Sequence, residues 1–245
     1  MNKNLITINN PTSITSEFFK TLRTNIEFGV EENQNIIMIT SSEPGDGKSF
    51  VSSNLAASFA QMGKKVLLVD LDLRKGQQHK IFKLKNGKGM ANLLNRDVKN
   101  DDDLYEELIK TIQVTSIDDL FVIPSGTIIN NPSELLMNGK LPKFLDYFRD
   151  KFDYVFVDAP PLTLVTDSAI IARYVDASVL VVSMNKTNAK ALNEAVGILK
   201  KANIDILGIV ANNVKLNTRT YKYKKYEYAE SNKALDKIKK ITRRK

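Results

Sequence analysis

The chain has no cysteine among its 245 residues. Disulfide bonds, thiol nucleophiles and Cys-ligated metal centres are therefore excluded, and the composition suits a reducing compartment. No apolar run approaches the roughly 18 residues that a membrane span requires. The N-terminal segment MNKNLITINNPTS also lacks the apolar core of a signal peptide. These absences predict a cytoplasmic protein.

Histidine occurs once, as His79. A structural or surface position is the more expected one for this side chain, although its ring could take part in proton transfer.

Positive charge is concentrated near the C-terminus. The net charge is +8, and residues 214–245 contain twelve Lys or Arg against three Asp or Glu. Their net charge of +9 leaves −1 for residues 1–213. We therefore predict a folded body, 1–213, and a flexible basic tail, 214–245, that suits an anionic partner. The tail contains half of the chain's eight tyrosines, namely Tyr221, Tyr223, Tyr226 and Tyr228.

Short apolar runs rich in β-branched residues predict buried strands. Helix-like segments, such as 49–63 and 191–203, lie between most of them. Continuous apolar strands alternating with helices are typical of a mainly parallel sheet with helices on both faces, the three-layer α/β/α class. Such sheets bind ligands at the carboxyl ends of their strands. The six predicted strands are 36–40, 65–70, 120–124, 154–158, 178–183 and 206–212.

Two further helices have local start signals. In the segment NPSELL, Asn131 is placed to cap a helix and Pro132 to occupy its first position. Asp101 to Asp103 are favourable at the start of a second helix, in a segment that begins as a loop near residue 87.

A phosphate-binding loop follows the first predicted strand. The segment SEPGDGKS, 42–49, fits the pattern G-x-x-x-x-G-K-[ST], except that Ser42 replaces the first glycine. Small residues let backbone N–H groups hold phosphate oxygens, a lysine neutralises the β and γ charge, and a serine hydroxyl can bind Mg²⁺. The expected nucleotide-binding residues here are Pro44, Gly45, Asp46, Gly47, Lys48, Ser49 and Phe50.

Three carboxylates end two other predicted strands. Asp70 and Asp72 lie two apart in VLLVDLDLR, so both can face one site. Asp158 ends YVFVD, where a carboxylate can hold Mg²⁺ through water. Each alone is more typical of a strand-end turn. Together with the loop they predict an ATP and Mg²⁺ site with one carboxylate left to accept a proton.

This set resembles the bacterial tyrosine kinases that regulate capsule and exopolysaccharide synthesis, which belong to the P-loop ATPase lineage. The matching segments are three Walker motifs, namely SSEPGDGKS (Walker A), LLVDLDLRK (Walker A′) and FVDAPP (Walker B), together with NNPSELL and the tyrosine-rich tail. The resemblance runs from about residue 16 to 228. A plausible H-R-D or D-F-G set is missing, which excludes the eukaryotic kinase class. The family's R-K-P reads Arg74-Lys75-Gly76 here.

The resemblance implies roles for the site residues. Lys48 and Ser49 would bind phosphates and Mg²⁺, and Asp72 and Asp158 would help to hold the metal. Asp70 is the expected acceptor of the tyrosine proton, although Asp70 and Asp72 could exchange roles. At the end of the last strand, Asn212 would contact adenine. The four tail tyrosines would be the phosphoacceptors, modified between subunits.

The resemblance also implies partners. The family joins subunits through an E-x-x-R-x-x-R motif, which reads Glu17, Lys20 and Arg23 here. The resemblance implies a ring-like homo-oligomer, which could be an octamer. Lys20 cannot form the bidentate fork of the family's arginine, so the stability and the size of that ring stay open here. A separate transmembrane activator with a cytoplasmic tail would enable the kinase at the inner face of the membrane. A tyrosine phosphatase would reset it, and sugar-metabolism enzymes are further candidate substrates.

Two other functions compete. A ParA/MinD-like ATPase shares the Walker motifs, but its loop carries a second lysine where this chain has Glu43. A single-stranded nucleic-acid module could use the basic and aromatic residues of the segment YKYKKYEY, 221–228. The nearly neutral body and the nucleotide motifs argue against a specific nucleic acid as the partner.

Overall fold

The computed structural model describes residues 4–96 and 101–215. The chain divides into two compact units, Met1–Asn212 and Asn213–Lys245. The predicted phosphoacceptors Tyr221, Tyr223, Tyr226 and Tyr228 lie outside the described residues.

The described residues form one seven-stranded sheet in the order β3-β4-β2-β5-β1-β6-β7. All neighbouring strands pair in parallel except β3 and β4, which are antiparallel. The six predicted strands are confirmed; β3 has only two residues, too few to form a pattern. The strands are β1 (Ile36–Ser41), β2 (Val66–Asp70), β3 (Gln113–Val114), β4 (Leu120–Ile123), β5 (Tyr154–Asp158), β6 (Ala177–Ser183) and β7 (Asp205–Asn212).

Ten helices accompany the sheet within the described part of the chain. Within residues 4–96 and 101–215, no helix is both long and apolar enough to cross a membrane. They are α1 (Ile6–Asn9), α2 (Ile14–Gly29), α3 (Lys48–Ala60), α4 (Gln78–Phe82), α5 (Met90–Asn95), α6 (Asp101–Thr111), α7 (Pro132–Leu136), α8 (Lys140–Arg149), α9 (Asp167–Ile171) and α10 (Ala189–Lys201).

The apolar core lies on both faces of the sheet. Successive strand residues point to opposite faces, so Ile36 and Met38 pack with residues of α5, α8 and α10. Ile37 and Ile39 pack instead with residues of α2 and α3. Because both faces are covered, the strands contain no polar alternation, and the predicted three-layer α/β/α class is confirmed.

The sequence predicts where two of these helices begin. Helix α6 begins at Asp101, and α7 begins at Pro132, as predicted. Asn131 occupies the predicted cap position, but its side chain does not cap the helix. Asn131 adopts a left-handed backbone (φ 57°) instead of the extended one that a capping side chain needs, and it makes no side-chain cap hydrogen bond.

The candidate oligomerisation residues lie on α2. Lys20 Nζ is 2.9 Å from Glu17 Oε1 on the exposed side of the helix. Arg23 turns inward, where Nη1 donates to the carbonyl oxygen of Ser58 on α3 (2.7 Å). Arg23 therefore joins α2 to α3 within one chain.

Phe59 anchors α3 to the sheet, and its truncation should destabilise the fold. The ring is fully buried, with its centroid 4.4 Å from Tyr154 and 5.1 Å from Phe156. We expect Phe59→Ala to lower the free energy of unfolding by about 3–5 kcal/mol because it leaves a cavity. The matched control is Phe28→Ala on α2, where the ring is 85% exposed and the change should stay within about 0.5 kcal/mol. Urea denaturation measures both, and equal effects would contradict this packing.

Candidate active site

Strand register brings the acidic residues together. In the parallel pair of β2 and β5, Asp70 lies directly beside Asp158. Strand β1, which leads into the phosphate loop, pairs with β5 on its other side. The carboxyl ends of these three strands therefore meet at one edge, and Asp72 follows β2 there with only 4% of its surface exposed.

The loop between β1 and α3 needs glycine at two positions. Gly45 and Gly47 have φ of +86° and +100°, in the region that side-chain-bearing residues rarely adopt. A Cβ on Gly47 would also lie 2.0 Å from Asn212 Nδ2. Helix α3 starts directly after Gly47, so the loop ends at a helix N-terminus, which favours anions.

Asp46 braces the loop from inside. Its buried carboxylate accepts hydrogen bonds from the Glu43 N–H (2.8 Å) and from Thr187 Oγ1 (2.7 Å). Its carbonyl oxygen accepts one from Asn212 Nδ2 (2.8 Å). The loop shape therefore depends on residues that follow β6 and end β7.

Lys186 gives a further contact from the segment after β6, since its ammonium group donates to the carbonyl oxygen of Pro44. Sequence reasoning missed Thr187 and Lys186, because no motif marks them.

Lys48 sits among the carboxylates. Its Nζ lies 2.8 Å from Asp72 Oδ2, 3.3 Å from Asp158 Oδ1 and 3.2 Å from Ser49 Oγ. Burial lowers the pKa of Lys48, but the carboxylates of Asp158, Asp72 and Asp70 outweigh burial and raise it above its usual value. The lysine therefore stays charged in this site.

Asp70 is fully buried, and its surroundings change its pKa. Its two oxygens accept backbone hydrogen bonds from Asp72 (3.2 Å) and Gln78 (3.0 Å). Burial, followed by repulsion from Asp158, raises the pKa of Asp70 to about 8, and the attraction of Lys48 offsets only part of this. A carboxyl group with such a pKa suits proton transfer near neutral pH.

Gln78 is a site residue that sequence reasoning missed. Its side chain is completely buried, and Nε2 donates to Asp158 Oδ2 (2.7 Å) and to Ser52 Oγ (2.9 Å). It lies outside every Walker motif, and its contact with Asp158 spans 80 residues. Only the fold brings these groups together.

The donor set fits Mg²⁺ bound together with a nucleotide. Among the described residues, no group of three or more His, Asp or Glu side chains could hold a metal ion by itself. Ser49, Asp72 and Asp158 supply a hydroxyl and two carboxylates, and Mg²⁺ is commonly held by one or two carboxylates, water and substrate phosphates. At this edge of the sheet, one lysine faces three acidic residues. Phosphate binding there therefore needs further positive charge, which Mg²⁺ would supply.

Two other residues that the sequence analysis singled out, Phe50 and His79, make none of the contacts described above for the acidic cluster. The Phe50 ring packs edge-on against Phe19 of α2, with centroids 5.8 Å apart, so it is part of the helix packing. His79 is half-buried on α4, and burial lowers its pKa.

The raised pKa of Asp70 gives a testable pH dependence. Folded, ligand-free protein should keep Asp70 protonated between about pH 5 and pH 7, whereas the unfolded chain ionises it above about 3.9. The unfolded state then binds fewer protons, so stability falls as pH rises. We expect wild type to lose about 1–3 kcal/mol more than Asp70→Asn over this interval. Urea denaturation in EDTA at both pH values measures the difference; equal pH slopes would show that Asp70 is already ionised.

Comparison with known proteins gives a consistent result. A ParA family model, described as a NUBPL iron-transfer P-loop NTPase, matches residues 32–241. The tyrosine-protein kinase YwqD of Bacillus subtilis is 37% identical over 229 residues, which cover 93% of this chain and 92% of YwqD. The chain spans only 30% of a Klebsiella pneumoniae relative and 29% of the tyrosine-protein kinase Etk of Escherichia coli.

Solved structures agree with the sequence matches. The kinase domain of Escherichia coli Etk superposes with a TM-score of 0.79 at 36% identity, covering 86% of this chain and 80% of that domain. The septum site-determining protein MinD of Pyrococcus horikoshii superposes less well, with a TM-score of 0.58 at 26% identity over 72% of this chain and 69% of MinD. With its Walker motifs converging at one sheet edge, the chain belongs to the bacterial tyrosine-protein kinase family of P-loop NTPases.

Proposed function

We propose that the chain is an ATP- and Mg²⁺-dependent protein-tyrosine kinase that phosphorylates the tail tyrosines of a neighbouring copy. The observation that carries this proposal is the cluster of Lys48 with Asp70, Asp72 and Asp158 beside a phosphate-binding loop. Such a cluster can bind a nucleoside triphosphate and accept a proton. The tyrosine-rich tail supplies phenols in the same chain.

The site residues divide the work of phosphoryl transfer. The backbone of Gly45 to Ser49 would hold the β and γ phosphates, and Lys48 would exchange its carboxylate partners for phosphate oxygens. Bound Mg²⁺ would neutralise phosphate charge, with Ser49, Asp72 and Asp158 as the residues that hold it. A tyrosine oxygen attacks the γ phosphorus in line, the bond to the ADP oxygen breaks, and an aspartate takes the phenolic proton.

Two residues remain candidates for that proton. The raised pKa of Asp70 supports the role that the resemblance implies for it, provided that Mg²⁺·ATP binding releases the proton that Asp70 carries in the ligand-free protein. Asp72 is slightly more exposed, and it would be released from Lys48 when the lysine turns to phosphate. In Asp70→Asn and Asp72→Asn variants, the acceptor is the residue whose loss stops transfer while Mg²⁺·ATP still binds.

Several wider features belong to the same proposal. The kinase would regulate capsule or exopolysaccharide synthesis from the inner face of the membrane, enabled there by a transmembrane activator and reset by a tyrosine phosphatase. Asn212 would contact adenine from its place beside Gly47.

Phosphorylation would change the charge of the tail. Phosphates on all four tail tyrosines would add a charge of about −6 to −8, which nearly cancels the tail's +9. Phosphorylation would therefore release the tail from an anionic surface.

The partitioning ATPase has less support. Glu43 occupies the position of the second loop lysine that reaches a partner's phosphate in that class, and an acid cannot neutralise phosphate charge. That function also leaves the tail tyrosines without a role.

Phosphotyrosine mapping tests the kinase. After incubation with ATP and Mg²⁺, with the activator's cytoplasmic tail present, we expect phosphate at Tyr221 to Tyr228, and none after replacement of all four tyrosines by phenylalanine. Mass spectrometry detects it. Lys48→Met should lower transfer by about 100-fold or more. No phosphate on the wild-type tail under these conditions would contradict the proposal.

The Lys48→Met control needs a stability measurement, because Lys48 neutralises buried Asp72 and Asp158. Removing one partner of a buried ion pair typically costs about 3–5 kcal/mol. In the trans test, that variant only presents its tail to an active chain truncated after Lys215. Phosphate on the Lys48→Met tail supports transfer between copies, whereas strict self-modification leaves it unlabelled.

Assembly is tested through α2. Lys20→Arg restores the arginine of the family motif, so we expect it to shift the chain towards larger assemblies, and Glu17→Ala towards smaller ones. Analytical ultracentrifugation over a concentration series measures the shift. Glu17 is the cleaner target than Arg23, which also joins α2 to α3. Identical sedimentation of both variants and wild type would contradict a role for this motif.

A further inference from the structure

Gln78 contacts two of the three strand-end acids. As the first residue of α4, it donates its backbone N–H to Asp70 Oδ2 (3.0 Å) and its side-chain Nε2 to Asp158 Oδ2 (2.7 Å). The side chain is completely buried. A single residue outside the Walker motifs thus holds both carboxylates.

The orientation of the Gln78 amide follows from chemistry. Besides Asp158, its Nε2 lies 2.9 Å from Ser52 Oγ and 3.2 Å from the carbonyl oxygen of Ser49. The Ser52 hydroxyl itself donates to that carbonyl (3.2 Å), so Ser52 Oγ accepts from Gln78. A flipped amide would place Oε1 against a carboxylate and a carbonyl oxygen. Nε2 must therefore be the atom that faces them.

This arrangement sets the direction of the Asp158 carboxylate. Gln78 occupies Oδ2, while Oδ1 faces Lys48 at 3.3 Å. Because the same amide also contacts the backbone of Ser49, it links the end of β5 to the first turn of α3. Asp158 and Ser49 are the two proposed metal-holding residues on those elements.

The other atom of the amide suggests a ligand. Gln78 Oε1 is buried, and no hydrogen-bond donor within the described residues reaches it. Buried acceptors in native proteins are nearly always paired. A donor that arrives with the ligand, such as a water molecule bound to Mg²⁺, would satisfy this oxygen.

We propose that Gln78 is a positioning residue of the Mg²⁺·nucleotide site, acting through Asp158 and Ser49. This inference rests on the proposed function only in so far as the site binds Mg²⁺ and nucleotide together. Partners that orient metal-holding side chains typically change metal affinity by about 10–100-fold when removed. Removal of the Gln78 amide should lower the Mg²⁺ affinity, because the Asp158 carboxylate then becomes free to rotate.

The test compares two neighbouring glutamines. Gln78→Met keeps length and volume but removes the donor and the acceptor. Gln77→Met is the matched control, since the Gln77 side chain donates to the Lys75 carbonyl oxygen (2.9 Å) at the surface. Fluorescence of N-methylanthraniloyl-ADP is followed during Mg²⁺ titration of the full chain. We expect the Mg²⁺ half-saturation to rise about 10–100-fold for Gln78→Met and less than about twofold for Gln77→Met.

The outcomes separate this inference from the kinase proposal. A normal Mg²⁺ half-saturation in Gln78→Met, with nucleotide bound, overturns it, whatever happens to tyrosine phosphorylation. A raised half-saturation in a protein that phosphorylates no tyrosine supports it and removes only the kinase proposal. If Gln78→Met does not fold, Gln78→Asn keeps a buried amide one methylene too short to reach Asp158, and it carries the same expectation. A purely structural role would lower the melting temperature without moving the half-saturation.

Discussion

The attraction between Lys48 and two carboxylates from different parts of the sheet organises this protein. Asp72 and Asp158 hold the ammonium group, and Asp70 lies beside them through the register of β2 and β5. Buried charges are tolerated only where they are paired and hydrogen-bonded. Backbone N–H groups after β2 donate to Asp70, and the Gln78 amide donates to Asp158. The glycine-rich loop leads directly into Lys48 at the start of α3.

That charge balance explains why nucleotide binding should need a cation. Phosphate oxygens have to compete with Asp72 and Asp158 for the lysine, and they would bring more negative charge to an edge that already holds three acids. A divalent ion offsets both effects. Burial and the neighbouring Asp158 raise the pKa of Asp70, so its readiness to take a proton depends on what occupies the edge.

Much of this architecture was predictable because it depends on local pattern. Continuous apolar strands, the segment GDGKS and strand-end aspartates are visible in the sequence, and parallel pairing brings their ends to one edge. Contacts between distant side chains were not predictable. Gln78 reaches Asp158 across 80 residues, and Thr187 reaches Asp46 across 141. The side-chain cap expected at Asn131 does not form, because the backbone there is left-handed instead of extended.

Helix α3 joins two quite different environments. Its thirteen residues make a rod about 20 Å long, with Lys48 at one end and the Ser58 carbonyl, held by Arg23, near the other. A continuous ladder of backbone hydrogen bonds joins the two ends of such a helix. A neighbour that drew Arg23 away from Ser58 would loosen the far end of the same helix that carries the phosphate-binding lysine. Under the proposed function, a change at the assembly surface of α2 would then reach the phosphate-binding loop through one buried helix.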